Sequence, residues 1–208
     1  MPRTDISPLT VNRLSVYLRV LRSLERMGVE RISSRQVAER FGLSAAQMRK
    51  DLARFGEFGI RGVGYDVPSL RKTLERVLGL ADTHPLVIVG AGRIGTALAR
   101  FPDLESRNFR VVAVVDIDPA RIGEPVADGR LRVQDASALD AIVASTGAEI
   151  GVLAVPAEAA QDNYEQLAAT GIRAVLNFAP VQIQEVNDVR VKTVDLLIFL
   201  EELAFYLL

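Results

Sequence analysis

The chain has 208 residues, 49% of them hydrophobic and 25% charged, and a formal net charge of −1, a composition that can build one large or two small folded domains. It holds no cysteine and a single histidine, which excludes disulfides, thiolate metal sites and cysteine nucleophiles and argues against zinc, so no metal is expected. No uncharged apolar run reaches 18 residues, and Met1-Pro2-Arg3-Thr4-Asp5 leads into no signal-peptide core; the expectation is a cytoplasmic protein with no membrane partner.

Ser7-Pro8 reads as a serine cap with proline at the first helical position, and Leu14, Leu18, Leu21 and Leu24 follow at helical spacing until Gly28. Ser33-x-x-Gln36 is a capping box for a short helix with Val37, Ala38 and Phe41 inward. Gly42-Leu43 turns the chain, and Ser44-x-x-Gln47 reads as a second capping box. Two short helices joined in this way are a helix-turn-helix candidate. In the second, Ala45, Met48 and Leu52 share one face, leaving Gln47, Arg49, Lys50 and Arg54 on the other. Over residues 55–67, glycines at 56, 59, 62 and 64 alternate with Ile60, Val63 and Tyr65 around Arg61, the pattern of a hairpin or wing that Pro68 ends. Leu70, Leu74 and Val77 outline another helix, and residues 81–85 read as a linker.

A boundary near residue 80 also divides the charge. Residues 1–80 carry 15 Lys/Arg against 8 Asp/Glu (+7), and residues 81–208 carry 10 against 18 (−8). A basic module of that size is attracted to a polyanion; a solvated basic face is the plainer alternative. Beyond the linker, strand-like runs at 86–90, 111–116, 131–133, 150–155 and 174–178 alternate with helical ones, the order of a parallel α/β sheet with crossover helices. Residues 189–194 are a candidate further strand. The final "DLLIFLEELAFYLL", residues 195–208, is apolar nearly all round. It is too short to span a bilayer and too apolar to lie exposed, so it must bury against a partner or against its own domain.

The first of those strands runs into Gly90-x-Gly92-x-x-Gly95. In a dinucleotide fingerprint the first glycine makes the tight turn, the second lets backbone approach the pyrophosphate, and the third lets helix and strand pack closely. The phosphates would rest on the N-terminus of the following helix. Asp116, 21 residues after Gly95 at the end of the second strand, suits both ribose hydroxyls and repels a 2′-phosphate, which favours NADH and NAD⁺ over NADP(H). A Rossmann-like domain whose glycines only turn the chain, or one that takes coenzyme A, fits the same pattern.

Groups for hydride-transfer chemistry are sparse. His84 precedes the first strand, at the end of the sheet opposite the ligand crevice; Lys192 is the only lysine after residue 80; and Tyr164 is followed four residues on by Ala168, so there is no Tyr-x-x-x-Lys pair. The residues lean toward binding without catalysis. An NAD-dependent oxidoreductase with a helical N-terminal domain stays open as an alternative, as does a DNA-binding protein that answers coenzyme A or another nucleotide.

The chain resembles the Rex family of bacterial redox-sensing transcriptional repressors over nearly all its length. "RISSRQVAERFGLSAAQMRKDLARFGEFGIRGVGYDV" is similar to the family's winged-helix signature, and "VGAGRIGTAL", "VVDIDPARIG", "LAVPAEAAQ" and "LNFAP" are similar to its sensor-domain blocks. In "VQIQEVNDVRV" the chain lacks the proline the family often has ahead of the acidic residue, which bears on the local turn. The resemblance implies a repressor, not an enzyme, that binds operator DNA with inverted half-sites as a homodimer and is released by NADH. It implies a winged-helix DNA-binding domain over 1–80, a Rossmann NAD(H)-binding domain over 81–194, and an exchanged dimerisation helix over 195–208. Carried over by position, Gly90, Ala91, Gly92, Arg93, Ile94 and Gly95 would hold the pyrophosphate and Asp116 the adenosine ribose. Phe101, Asn177, Phe178 and Pro180 would flank the nicotinamide. Ser44, Gln47, Arg49, Lys50 and Arg54 of the recognition helix and Arg61 of the wing would contact DNA.

Overall fold

Helix α1 (Pro8–Arg26) begins where the Ser7 hydroxyl accepts from the Thr10 N–H, with proline in the first turn, where its missing N–H costs nothing. Its buried stripe of Leu14, Tyr17, Leu18, Leu21 and Leu24 forms the centre of a core with Val37, Met48, Leu52, Leu70 and Leu74. Strand β1 (Arg31–Ile32) leads to α2 (Ser34–Phe41), which has the full reciprocal capping box of Ser33 and Gln36 and stops at Gly42 in the left-handed region, φ 65°. Helix α3 (Ala45–Leu52) departs from the expected pattern. Ser44 does accept from the Gln47 N–H, but the Gln47 side chain turns away to Asp51, so only half of a capping box is present.

Strands β2 (Gly59–Ile60) and β3 (Gly64–Asp66) form the expected hairpin, and β1 joins it to give a three-stranded antiparallel sheet ordered β1-β3-β2. Gly64, at φ 91°, packs so tightly that a Cβ there would lie 2.6 Å from the Ile32 carbonyl oxygen. Helix α4 (Val67–Val77) starts on an Asp66 cap with Pro68 in its first turn, so this proline opens a helix as well as closing the wing. The unit formed by these elements is Met1–Asp82, and the remainder, Thr83–Leu208, forms a second. This computed structural model describes residues 6–60 and 63–207, so Arg61 lies outside the described residues.

In the second unit, β4 (His84–Val89), α5 (Arg93–Ala99), the short α6 (Asp103–Ser106) and β5 (Phe109–Asp116) come first. The hairpin β6 (Pro125–Val126) and β7 (Leu131–Asp135) follows, then α7 (Leu139–Thr146), β8 (Ile150–Leu153), α8 (Ala157–Ala169), β9 (Ala174–Asn177), β10 (Arg190–Thr193) and α9 (Leu196–Phe205). The sheet order is β10-β9-β8-β4-β5-β7-β6, parallel throughout except for the β6–β7 edge hairpin. Along β4, Val87 and Val89 enter one core with Tyr164 and Leu167, while Leu86 and Ile88 enter the other with Ala91 and Ala99. Burial of both faces is why this strand reads as an unbroken apolar run. The strand order reverses at β4, with β5 on one side and β8 on the other, and such a switch point opens a crevice at the carboxyl ends of the strands.

Candidate nucleotide cleft and nucleic-acid surface

The crevice at that switch point is a cleft of about 330 Å³. Its floor is Val89, Gly90 and Gly92; Asp116, Asp118 and Arg121 line the β5 side, and Val155, Pro156 and Asn163 the β8 side. The three glycines are required for three different reasons. Gly90 turns the chain at φ 101°, and a Cβ there would meet the Ala154 carbonyl oxygen at 2.4 Å. At Gly95 a Cβ would lie within 1.8 Å of the Gly90 carbonyl oxygen, so α5 could not reach β4 with any larger residue. A Cβ on Gly92 would meet nothing within 4 Å, and its backbone is ordinary extended chain (φ −68°, ψ −170°). Nothing among the described residues demands glycine at 92; a ligand passing over it would.

Asp116 accepts from the Ala91 N–H at 2.7 Å through one oxygen and from the Asp118 N–H at 2.9 Å through the other. It thereby ties the glycine loop to the end of β5. A carboxylate offers about four lone-pair positions, so two hydroxyl donors can still be accepted. Arg121 donates to the Ala91 carbonyl at 2.8 Å, bracing the same loop.

Of the residues expected at the nucleotide, Gly90, Gly92 and Asp116 line this cleft, while Ala91, Arg93, Ile94 and Gly95 complete the loop and the first turn of α5. Phe101, Asn177, Phe178 and Pro180 do not line it. Phe101 is 55% exposed, beside a separate depression with Leu104 and Arg130. Asn177 is fully buried: its Oδ1 accepts from Ala179 N–H at 2.9 Å, and its Nδ2 donates to the carbonyls of Ala179 and Val181, each at 3.0 Å. That side chain shapes the turn after β9 rather than reaching outward. Tyr164 is buried too, its hydroxyl donating to the Val189 carbonyl at 2.8 Å. His84, the first residue of β4, bonds Glu149 at 2.8 Å, and this bond holds the Glu149 carboxyl below the usual carboxylate range.

In the first unit, Ser44, Arg49, Lys50 and Arg54 are exposed along α3 and its end, and Gln47 is half-buried. Arg49 donates to the Ser34 hydroxyl at 2.8 Å, linking α3 to α2, and borders a groove of about 610 Å³ between α3 and the hairpin. Asp51 is the residue that sequence reasoning passed over. It is 2% exposed, and its carboxylate accepts four hydrogen bonds. Arg13 donates through Nε at 2.6 Å and Nη2 at 2.8 Å, the Tyr17 hydroxyl at 3.0 Å and Gln47 Nε2 at 2.8 Å. The Arg13 guanidinium draws the Asp51 pKa down from 3.8 to about 2, while burial pushes Tyr17 up to about 12, so the acid stays ionised and the phenol stays a donor. An acid among basic residues on a short polar helix reads as solvated; only the far-off Arg13 and Tyr17 reveal otherwise.

A winged helix-turn-helix unit joined to an α/β unit with a dinucleotide cleft defines the class of a DNA-binding regulator with a nucleotide-sensing domain. Comparison with known proteins gives the family. Residues 5–53 match the family described as "Putative DNA-binding protein N-terminus", and residues 82–181 match "CoA binding domain". The redox-sensing transcriptional repressor Rex of Desulforamulus reducens is 43% identical across 100% of this chain and 98% of its own. That of Streptomyces coelicolor is 44% identical across 97% of this chain and 77% of its own. Among solved structures, RSP, a Rex-family repressor, in complex with β-NAD⁺ and operator DNA superposes with a TM-score of 0.92 at 35% identity, covering 99% of this chain and 94% of that one. The chain belongs to the Rex family of redox-sensing transcriptional repressors.

Proposed function

We propose that this protein represses transcription by binding operator DNA as a homodimer and leaves the DNA when NADH occupies the cleft of its second unit. What carries the reading is that the likeness to Rex repressors runs through both units at once, at 43% identity over the whole chain. RSP has been captured with β-NAD⁺ and operator DNA and also with β-NADH, the three ligands this reading requires here. The pyrophosphate would cross Gly92 and the first turn of α5, and Asp116 would take the adenosine ribose. Ser44, Gln47, Arg49, Lys50, Arg54 and Arg61 would face the DNA. The exposed apolar α9, with residues 195–208, would pair with the second copy. The protein works in the cytoplasm, where its DNA and the nicotinamide pool meet. Catalysis is not part of the reading: the described residues lining the cleft offer Asp116, Asp118, Arg121 and Asn163 but no histidine, lysine or tyrosine to exchange a proton.

A titration of operator DNA, with NADH and NAD⁺ added separately, tests this reading. NADH should lower DNA affinity and NAD⁺ should leave most of it. DNA affinity indifferent to both, but lowered by coenzyme A, would favour the ligand for which the matched domain family is described. Consumption of NADH with simple carbonyl compounds, followed at 340 nm, would make the protein an oxidoreductase instead.

A further inference from the structure

We propose that Asp51 is a positioning residue for base recognition: its buried carboxylate fixes α3 against α1 and turns the Gln47 amide so that its oxygen and second N–H face an adenine. This rests on α3 being the DNA-reading helix. The chemistry forces the orientation. A carboxylate ionised and already accepting from Arg13 and Tyr17 can only accept, so Gln47 must present its NH₂ group to it, as the 2.8 Å contact from Nε2 shows. The amide oxygen is therefore turned away from Asp51, and one N–H is left beside it. An acceptor next to a donor is the complement of adenine N6–H and N7 in the major groove, whereas a flipped or rotating amide would not distinguish adenine from guanine.

The anchoring reaches well back from the surface. Arg13 Nη2 also donates to the Thr10 hydroxyl at 3.1 Å, and that hydroxyl lies 3.0 Å from the hydroxyl of Ser7, the cap of α1. A continuous chain of hydrogen bonds thus runs from the start of α1 through Arg13 and Asp51 to the half-buried Gln47. Because every acceptor position on Asp51 has a donor, the Gln47 side chain is held before DNA arrives, and its ordering is not left to binding.

The test uses full-length protein and operators carrying each base at each position, with non-operator DNA alongside. Gln47→Ala should lose about tenfold discrimination at one A·T pair. Asp51→Asn should lose the same discrimination at the same pair, bind non-operator DNA as the wild type does, and gain no further defect when combined with Gln47→Ala. Wild-type protein should also lose about tenfold when that adenine is replaced by 7-deazaadenine, while Gln47→Ala should be indifferent to it. An Asp51→Asn protein that binds all sequences equally more weakly, with its base preference intact, would overturn the proposal. If Asp51→Asn does not fold, the wild-type Gln47 side-chain amide decides by NMR, assigned through its loss in Gln47→Ala. Slow exchange and one downfield proton support the bond to Asp51, and a solvent-averaged pair overturns it. Separately, unchanged operator affinity in Arg49→Ala/Lys50→Ala would remove α3 as the reader altogether.

Discussion

Gly92 and Gly95 show how two identical residues in one fingerprint are held by different forces. A methyl group at Gly95 collides with the Gly90 backbone, whereas one at Gly92 meets empty space. Gly95→Ala should therefore destabilise the protein by roughly 1–3 kcal/mol through overpacking. Gly92→Ala should melt within a degree or two of the wild type yet bind NADH about tenfold more weakly. Calorimetric melting and NADH titration of the pair separate packing from ligand approach; normal NADH binding by Gly92→Ala would move the pyrophosphate off this turn. Asp116→Ala should weaken NADH binding and reduce the preference over NADPH, because it removes both ribose acceptors and the charge that repels a 2′-phosphate. The variant also loses the tie to the Ala91 N–H, so its melting temperature must be measured beside its affinity. Asp51 gives a pH dependence with a definite sign. Its folded pKa of about 2 lies below the ordinary carboxylate value of 3.8, so its contribution is complete above about pH 5 and is lost as pH falls through 3.8 toward 2. By linkage the contribution is roughly 2 kcal/mol. Denaturant unfolding should show wild type losing that increment on acidification and Asp51→Asn losing much less.

At the scale of elements, α9 is the part the visible unit does not explain. None of its residues is buried, and Leu196, Leu197, Ile198, Phe199, Leu200 and Leu203 are each more than half exposed. Burying a side chain of this kind contributes roughly 1.5–3 kcal/mol, so a partner surface over the whole helix would gain well over 5 kcal/mol even after ordering costs. Deleting residues 196–208 should leave the cleft folded and NADH binding retained, and should convert a dimer to a monomer in size-exclusion chromatography; a truncated protein that stays dimeric would place the interface elsewhere. The other elements announced themselves by local chemistry. Ser33 with Gln36, Ser7 with Pro8, and Gly95 against Gly90 each act within a few residues, so their signals survive in a linear sequence. What escaped depends on distance along the chain. The two-residue β1 is too short to show a period and exists because β3 pairs with it. Asn177, placed beside the nicotinamide by resemblance in "LNFAP", has its side-chain amide bonded to Ala179 and Val181 of the turn after β9, contacts the motif does not announce. Asp51 looks like one more charge on a polar helix until Arg13, 38 residues earlier, closes on it.

For the whole molecule the decisive quantity is the coupling between nucleotide and DNA, and the cleft bears on which form of the nucleotide it holds better. The acidic side chains, Asp116 and Asp118, line the β5 side where the adenosine would lie, while the β8 side that would receive the nicotinamide presents Ala154, Val155, Pro156 and Ala159, with the neutral Asn163. Oxidised nicotinamide carries a positive charge that the reduced ring lacks, and an apolar wall without a compensating carboxylate penalises burying it. Closure around the ring should therefore favour NADH over NAD⁺. If the closed form sets the two recognition helices of a dimer at a spacing the operator does not match, NADH releases DNA. Reciprocity then requires operator DNA to weaken NADH binding by the same factor, typically 5- to 150-fold for a coupling of about 1–3 kcal/mol. Replacing Val155 with glutamate should supply the missing countercharge and narrow the gap between the two nucleotides from the NAD⁺ side. Isothermal titration of NADH and NAD⁺ into free protein, operator-bound protein and Val155→Glu checks both steps. Equal NADH affinity with and without operator would break the coupling, and an unchanged NADH to NAD⁺ ratio in Val155→Glu would remove the charge of the ring as its cause.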